Sequence, residues 1–427
     1  MRRAEESSQR IFHHMRTVTF ILSAAVLVAA ASAQTTYSEL HGYTPTSDVS
    51  SQAKIDFDQQ MVMDAVAEDP VNFALAKDKY MNGGNSAGRT LQKFSTTIGD
   101  EGGATMLKMA SDSAISVVQA YASYWSSNPI SGDSSVTCKS GSAVTGCPNY
   151  ADTIVMAALN NKGDYMLDTP GDRDVVRAQI VKKGTAYHAV WLYVVGRLSE
   201  AVTQAAKFDT TTKKMMDGKT AEETVGMAVD EAWAYHTGSQ NANLPMKLAK
   251  SRGVNFGTCS AIPDALLAAF KDAQKYAATE TFDLAMFTKA ATDIVPLMTI
   301  PIVQGCLRYA YRADGKVMDF AAADAADLAI LAEAHIFCAG LYPQMAAADA
   351  KVVRDMVDPT KKMTIVARTI KDTLERNYGV MSISPGQVGE WNAVDYECAT
   401  GGASTAGSSL LLAAASVLVA FVGGRHW

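Results

Sequence analysis

The side chains best suited to bind a metal in this 427-residue chain are histidines, tyrosines and glutamates on candidate helices. Between the two ends of the chain there are only four histidines, and three of them have oxygen donors as neighbours. Carboxylates and imidazoles on facing helices are how helical bundles hold iron or manganese, and hard cations prefer oxygen ligands. We therefore predict a metal site with ligands from Tyr187, His188, Glu231, Tyr235, His236, Tyr309 and Glu333.

Two arginines beside one of these tyrosines indicate an anion site. Arg308 and Arg312 are four residues apart, so they share one helix face next to Tyr309. A planar guanidinium binds a small oxyanion through two parallel hydrogen bonds. The alternative for His188 is a packed, hydrogen-bonded core histidine. Each glutamate of the set needs a partner if its helix is apolar, because an unpaired buried charge is costly.

Three motifs of common enzymes are absent from the sequence. It contains no Walker loop, no dinucleotide-binding glycine pattern and no His-Glu-x-x-His. An ordinary hydrolase, kinase or dehydrogenase is therefore disfavoured, and we expect a protein that is not an enzyme.

Ala-rich stretches with apolar residues three and four apart predict helices almost throughout. Pro296 and Pro301 predict a kink in one of these helices, or a later start. The predicted helices cover residues 51–67, 102–124, 172–206, 221–235, 263–279, 292–312, 321–341 and 359–377.

A weak internal repeat relates two halves of the chain. Residues 183–188 compare with 304–309, and residues 231–238 compare with 333–340, where Glu, Ala, an aromatic residue and Gly recur in register. The simplest account is an all-α, two-repeat helical bundle, with chance similarity between Ala-rich helices as the alternative. We place the halves at residues 34–250 and 251–398.

Both ends of the chain look like targeting segments. Residues 18–30 are apolar and precede the small-residue cleavage site Ala31-Ser32-Ala33, which predicts a cleaved signal peptide over residues 1–33. Residues 399–427 contain a small-residue spacer and an apolar run over 410–422, which is short for a membrane span. This layout is typical of a GPI-attachment signal, with a short retained membrane anchor as the alternative. Either one places the protein at the outer face of a membrane.

Six cysteines in a secreted chain predict three disulfides. Cys138 and Cys147 share one loop and are the expected local pair. Three pairings remain open for the other four, which are Cys259, Cys306, Cys338 and Cys398.

The net charge of −6 argues against binding to nucleic acid, which requires a basic surface. The predicted signal and tail carry more Arg than Glu, so the remaining chain is more acidic still. Acidic residues suit a cation as partner.

Five segments resemble the algal iron-assimilating, low-iron-inducible periplasmic proteins, whose diatom relatives are called phytotransferrins. The resemblance implies a secreted or surface-anchored protein that is induced by iron shortage and promotes iron uptake. We expect a surface reductase or an iron permease as a partner. For phytotransferrins it implies Fe3+ bound with carbonate. The segments are 80–86 (YMNGGNS), 177–187 (RAQIVKKGTAY), 230–238 (DEAWAYHTG), 252–258 (RGVNFGT) and 304–314 (QGCLRYAYRAD).

The chain departs from related patterns at two places. The family's Glu-Gly-x-Ala-Phe is Glu333-Ala-His-Ile-Phe337 here. The chain is also similar, more distantly, to imelysin-like proteins. Trp191 stands where their Gly-x-His-x-x-Glu motif has Glu. We therefore expect capture of ferric iron with carbonate, with an imelysin-like metal-dependent hydrolase and a structural surface protein without metal as the alternatives.

Overall fold

The computed structural model describes residues 38–86, 88–96, 116–128, 147, 149–166, 173–240 and 243–398. Within these ranges the chain is helical, and strand-like pairing is limited to isolated bridges. The predicted all-α fold is therefore confirmed. The predicted signal peptide and C-terminal tail lie outside the described residues.

Seven helices of ten or more residues, α1 to α7, lie in the described part of the first predicted half. Helices α5 and α6 are joined without a break by a π-helical segment, Thr185–Val190, which matches the long helix predicted over 172–206. A second π segment, Glu222–Gly226, leads into α7. In order, the helices are Ile55–Ala65, Phe73–Asn82, Ser116–Ser127, Tyr150–Asn160, Asp174–Gly184, Trp191–Ala205 and Met227–Thr237.

Six more helices of ten or more residues, α8 to α13, follow within the described residues. The predicted boundary between the halves at residue 250 falls inside α8. The described residues from Glu39 onward form one compact unit. In order, the helices are Pro245–Phe256, Ala261–Ala277, Leu284–Arg312, Ala325–Ala339, Ala347–Val357 and Ala367–Asn377.

Two predicted helix starts are wrong. Helix α10 begins at Leu284 and runs for 29 residues through both Pro296 and Pro301, so it starts earlier than its prolines suggested. Tertiary contacts hold it there, and Trp191 Nε1 donates to the carbonyl of Met298, 3.0 Å away. Helix α13 begins only at Ala367, because the preceding residues pair with the chain near Val317 instead.

Helix α10 and the segment Ala325–Gln344 are long and apolar enough to cross a membrane by length and composition alone. Most of each segment is buried inside the fold. A core helix of a globular protein has the same composition. These two segments therefore form the centre of the bundle, with α9 and α5 packed beside them.

Two disulfides are described, Cys259–Cys398 and Cys306–Cys338. Together they resolve the pairing that the sequence left open. Cys147 is also disulfide-bonded, and its predicted partner Cys138 lies outside the described residues. The predicted disulfide-stabilised bundle is thus confirmed for both pairs that can be described.

The N-terminal segment is held against α7 by one buried carboxylate, that of Asp230. Its oxygens accept hydrogen bonds from the Tyr43 hydroxyl at 2.5 Å, from the backbone N–H and hydroxyl groups of Thr46 and Ser47 at 2.6–2.9 Å, and from Gln274 at 3.0 Å. Asp230 is fully buried. A buried carboxylate with so many donors acts as a tie between segments that are distant in sequence.

We predict that Asp230→Ala lowers the free energy of unfolding by at least about 3 kcal/mol, because it leaves several buried donors without an acceptor. Urea denaturation followed by circular dichroism measures this change. Asp217→Asn, at an exposed turn, is the control and should keep the wild-type midpoint. A wild-type midpoint for Asp230→Ala would contradict the role given to this carboxylate.

Candidate functional site

The structure gathers five of the predicted site residues around one tyrosine. They come from α5 with its π extension, from α10 and from α11, and α8 adds a further arginine. We call this group the Tyr309 cluster, and its members are Lys183, Tyr187, Arg252, Arg308, Tyr309, Arg312, Glu333 and Phe337.

A buried ion pair and an aromatic stack form the floor of the Tyr309 cluster. Lys183 Nζ lies 2.9 Å from Glu333 Oε1. The rings of Tyr187 and Tyr309 both stack on Phe337, with centroids 5.4 and 5.6 Å away. Burial raises the pKa of Tyr309, and the neighbouring Glu333 adds to the rise. The Tyr309 phenol therefore stands beside the Glu333 carboxylate, and Tyr187 packs on the same phenylalanine.

Three guanidinium groups surround Tyr309. Those of Arg252, Arg308 and Arg312 lie 5.6, 5.7 and 5.5 Å from its ring centroid. None of the three is ion-paired with a carboxylate among the residues that the structure describes. Arg252 is 5% exposed, and its Nε has no hydrogen-bond partner. Such a concentration of unpaired positive charge favours an anion.

Asn255 orients two of these arginines. Its Oδ1 accepts from Arg252 Nη1 and from Arg308 Nη1, each at 2.6 Å, and its Nδ2 donates to Asp395 at 2.6 Å. Asp395 lies on the segment that runs from Gly389 to Cys398.

That segment is attached along the C-terminal end of α8. Backbone N–H groups of Glu390, Asn392 and Tyr396 donate to α8 carbonyls at 3.0–3.1 Å, and Cys398 is bonded to Cys259. Gly389 has φ +73°, and a Cβ there would lie 2.2 Å from the carbonyl oxygen of Phe256, so glycine is required for this close approach. The last described residues thus support the arginine side of the cluster.

A second group of similar composition lies on α6 and α7. We call it the Tyr235 cluster, and its members are Gln52, Arg89, Phe94, Tyr193, Arg197, Glu231 and Tyr235. Arg197 Nη2 lies 2.7 Å from Glu231 Oε2, and a second carboxylate, that of Glu200, also pairs with Arg197.

The tyrosines of the Tyr235 cluster are packed against one phenylalanine. Phe94 stacks on Tyr193 at 4.2 Å and meets Tyr235 edge-on at 4.9 Å. Arg89 donates to the Tyr193 hydroxyl and lies 5.9 Å from the Tyr235 ring. Burial raises the pKa of Tyr235 well above its usual value, and Tyr193 and Glu231 add to the rise. Glu231 and Tyr235, predicted as ligands, are therefore together here and apart from the Tyr309 cluster.

The two clusters share only the glutamate position of the predicted repeat, because residues 183–188 and 304–309 both contribute to the Tyr309 cluster. Each glutamate, Glu231 or Glu333, is paired with a cation on the long helix α5–α6. Each also contains two tyrosines that pack on one phenylalanine.

The two predicted histidine ligands sit outside both clusters. His188 is buried, and its Nε2 donates to the carbonyl of Ile336 at 2.8 Å. His236 is buried near Trp233 and Phe270, and neither ring nitrogen has a hydrogen-bond partner. Burial lowers the pKa of His188 to about 4 and that of His236 to about 3. The structure gives both the environment of core histidines, which was the alternative interpretation for His188.

No three His, Cys, Asp or Glu side chains converge within the ranges that the structure describes. A site of carboxylates and imidazoles alone is therefore not formed there. Ferric iron, which is a hard cation, would need the phenol oxygens together with a glutamate. Both clusters have this donor set.

The sequence analysis did not single out several residues of these clusters. Lys183 and Arg252 lie inside the segments that carry the family resemblance, so that resemblance was the available signal. Arg89 follows the YMNGGNS segment, and Arg197 lies near the middle of a predicted helix, where nothing in the local pattern marks it. Tertiary packing alone brings these four cations to the tyrosines.

One comparison with known proteins gives a match. The family model described as low iron-inducible periplasmic protein matches residues 17–398. This confirms the family resemblance seen in the sequence and the predicted periplasmic localisation. No curated protein and no solved structure matches the chain.

The buried histidines predict acid sensitivity of the iron-free protein. In the unfolded chain His236 takes up a proton near pH 6.5, whereas in the folded chain it does so only near pH 3. Stability is therefore fully present above pH 6.5 and falls as the pH drops toward 3, at about 1.4 kcal/mol per pKa unit of difference.

We expect His236→Phe to reduce the loss of unfolding free energy between pH 7 and pH 4, because Phe removes the proton uptake of the unfolded state. Urea denaturation at a series of pH values in the presence of a chelator measures it. A slope against pH equal to that of the wild-type protein would contradict the burial of a neutral His236.

Proposed function

The chain belongs to the low iron-inducible periplasmic protein family, and from this premise we propose that it captures ferric iron together with carbonate for high-affinity iron uptake. The site that we assign to the iron is the Tyr309 cluster. One observation supports this proposal most. Three arginines without carboxylate partners surround Tyr309, which stands beside the Lys183–Glu333 pair.

The donor set suits ferric iron. Tyr187 and Tyr309 would contribute phenolate oxygens and Glu333 a carboxylate oxygen, all of them hard ligands. Because burial raises the pKa of Tyr309, this phenol keeps its proton at neutral pH until a metal replaces it. Lys183 holds Glu333 in place before the metal arrives.

The arginines suit the anion. Carbonate is small and planar, and guanidinium groups hydrogen-bond such oxyanions through paired N–H groups. Arg308 is half-buried and Arg312 is exposed, so these two form the solvent side of the cluster, while Arg252 lies beneath them. A carbonate held there would neutralise the arginines and occupy coordination positions that Tyr187, Tyr309 and Glu333 leave open.

A binding protein accounts for the geometry better than the alternatives do. The imelysin-like hydrolase would need an accessible histidine, but His188 is buried and hydrogen-bonded to the carbonyl of Ile336. Trp191, at the position of the motif's glutamate, is hydrogen-bonded to the carbonyl of Met298. A purely structural protein has no use for a buried Arg252 whose Nε has no partner. We therefore propose that the chain is not an enzyme.

We also propose that the protein works at the outer face of the plasma membrane, attached by a GPI group or a short C-terminal anchor. The described chain ends at Cys398, which is bonded to Cys259 next to the Tyr309 cluster. An anchor on the following residues would hold the iron site near the membrane, where a surface reductase or an iron permease could receive the ion.

Ferric binding through phenolate gives a visible absorption band, so it can be tested directly. We expect the purified protein, titrated with ferric citrate, to show this band and to retain iron only when bicarbonate is present. Tyr309→Phe should weaken iron binding at this cluster by at least about tenfold. Loss of a residue that only supports a metal ligand already lowers metal affinity by about that factor.

The matched control is Tyr311→Phe, two residues along the same helix, where the ring stacks on Trp391 instead. It should bind as the wild-type protein does. If the wild-type protein shows no such band and no bicarbonate-dependent retention, the proposed function is wrong.

The anion can be tested separately. Arg308→Gln should raise the bicarbonate concentration needed for half-maximal iron retention by about tenfold, equivalent to about 1.4 kcal/mol of lost charge-assisted hydrogen bonding. Arg368→Gln is the control, since Arg368 is exposed and paired with Asp372. Equal bicarbonate dependence in both variants would remove Arg308 from the anion site.

A further inference from the structure

We propose that the Tyr235 cluster is a second, separate site for ferric iron and its anion, so that one chain carries two ions. This inference rests on the proposed function, and it adds a site with a stoichiometry. Its ligands would be Tyr193, Tyr235 and Glu231, with Arg89 and Arg197 on the anion.

Polar atoms in this cluster lack partners although they are buried. Tyr235 is fully buried and its hydroxyl has no hydrogen-bond partner, and Arg197, which is 3% exposed, has none at Nε. The Oε1 of Gln52 is unpartnered as well. Leaving such groups unsatisfied costs free energy, and a ligand that accepts from Arg197 and binds the Tyr235 oxygen would recover it.

Arg89 joins the cluster to a neighbouring cavity. The cavity has a volume of about 270 Å³, and Arg89 forms part of its wall while also donating to Tyr193. The cavity is lined by Met81, Asn82, Gly84, Gly88, Arg89, Thr90 and Lys93. Arg89 therefore stands between the cavity and the tyrosines, where it could receive an anion that enters with the metal.

The loop beside this cavity is held by a buried carboxylate. Asp58 accepts from the backbone and the side-chain amide of Asn85, at 3.2 and 2.6 Å. Gly83 has φ +50°, and a Cβ there would lie 2.8 Å from Asp58 Oδ2, so the loop packs tightly on the carboxylate. The YMNGGNS segment therefore stabilises the wall of the cavity.

The charge of the cluster is compatible with the ligand. Arg89 and Arg197 are balanced by Glu200 and Glu231, so the iron-free cluster is neutral. Fe3+ with carbonate adds one positive charge, and loss of the two phenolic protons removes two. The filled cluster therefore differs from the empty one by a single charge. A buried site tolerates this change better than it would tolerate the three charges of an isolated ferric ion.

The two clusters are far enough apart to fill independently. Lys183 and Arg197 lie on the continuous helix α5–α6, and a rise of about 1.5 Å per residue places their Cα atoms about 20 Å apart. The clusters share no residue.

The test is the number of ferric ions retained per chain, measured with the purified protein, ferric citrate and bicarbonate, followed by gel filtration and metal analysis. We expect two ions in the wild-type protein, one in Tyr235→Phe, one in Tyr309→Phe and none in the double variant. Tyr311→Phe, the control, should retain two.

Tyr235→Phe removes only a hydroxyl that has no partner, so its iron-free thermal midpoint should equal or exceed that of the wild-type protein. A normal midpoint together with the loss of one ion supports a ligand role. Glu231→Gln, which keeps the shape of the side chain, should also lose one ion.

One ion in the wild-type protein, lost in Tyr309→Phe and kept in Tyr235→Phe, would overturn the second site and leave the proposed function in place. No bicarbonate-dependent iron in any variant would overturn both.

Discussion

Two ion pairs join the long helix formed by α5 and α6 to other helices, and both clusters depend on them. The cations are the partly buried Lys183 and the fully buried Arg197. Each cation is paired with a glutamate from another helix, Glu333 on α11 or Glu231 on α7. Breaking such a pair leaves a buried charge unpaired, which typically costs about 3–5 kcal/mol. The two pairs therefore favour the observed approach of α7 and α11 to the long helix.

The two ion pairs differ in what surrounds them, and that difference bears on function. Around Glu333 the positive charges exceed the negative ones, because Arg252, Arg308 and Arg312 add to Lys183 without carboxylates of their own. Around Glu231 the charges balance. Under the proposed function, an anion would be attracted to the Tyr309 cluster before any metal is present, whereas at the Tyr235 cluster the metal and the anion would have to arrive together.

Irregular backbone supports the Tyr309 cluster at two places. The π segment Thr185–Val190 carries Tyr187 out of the regular helical register, and π-helical insertions are often found at functional sites. The segment from Gly389 to Cys398 is held to α8 by backbone hydrogen bonds and by the Cys259–Cys398 disulfide. Through Asn255 this segment reaches Arg252 and Arg308. The last described part of the chain therefore belongs to the supporting structure of the Tyr309 cluster.

The sequence by itself determined the helical class, most helix positions, the family, and five side chains that do converge, because helical periodicity and the Arg308–Arg312 spacing are local properties. It could not separate Glu231 and Tyr235 from Glu333 and Tyr309, since which helix faces which is decided by packing between distant segments. For the same reason it could not show that His188 and His236 are buried away from the oxygen donors. Only the tertiary structure joined Lys183, Arg252, Arg89 and Arg197 to the tyrosines, because a buried cation is placed by its partner across the bundle.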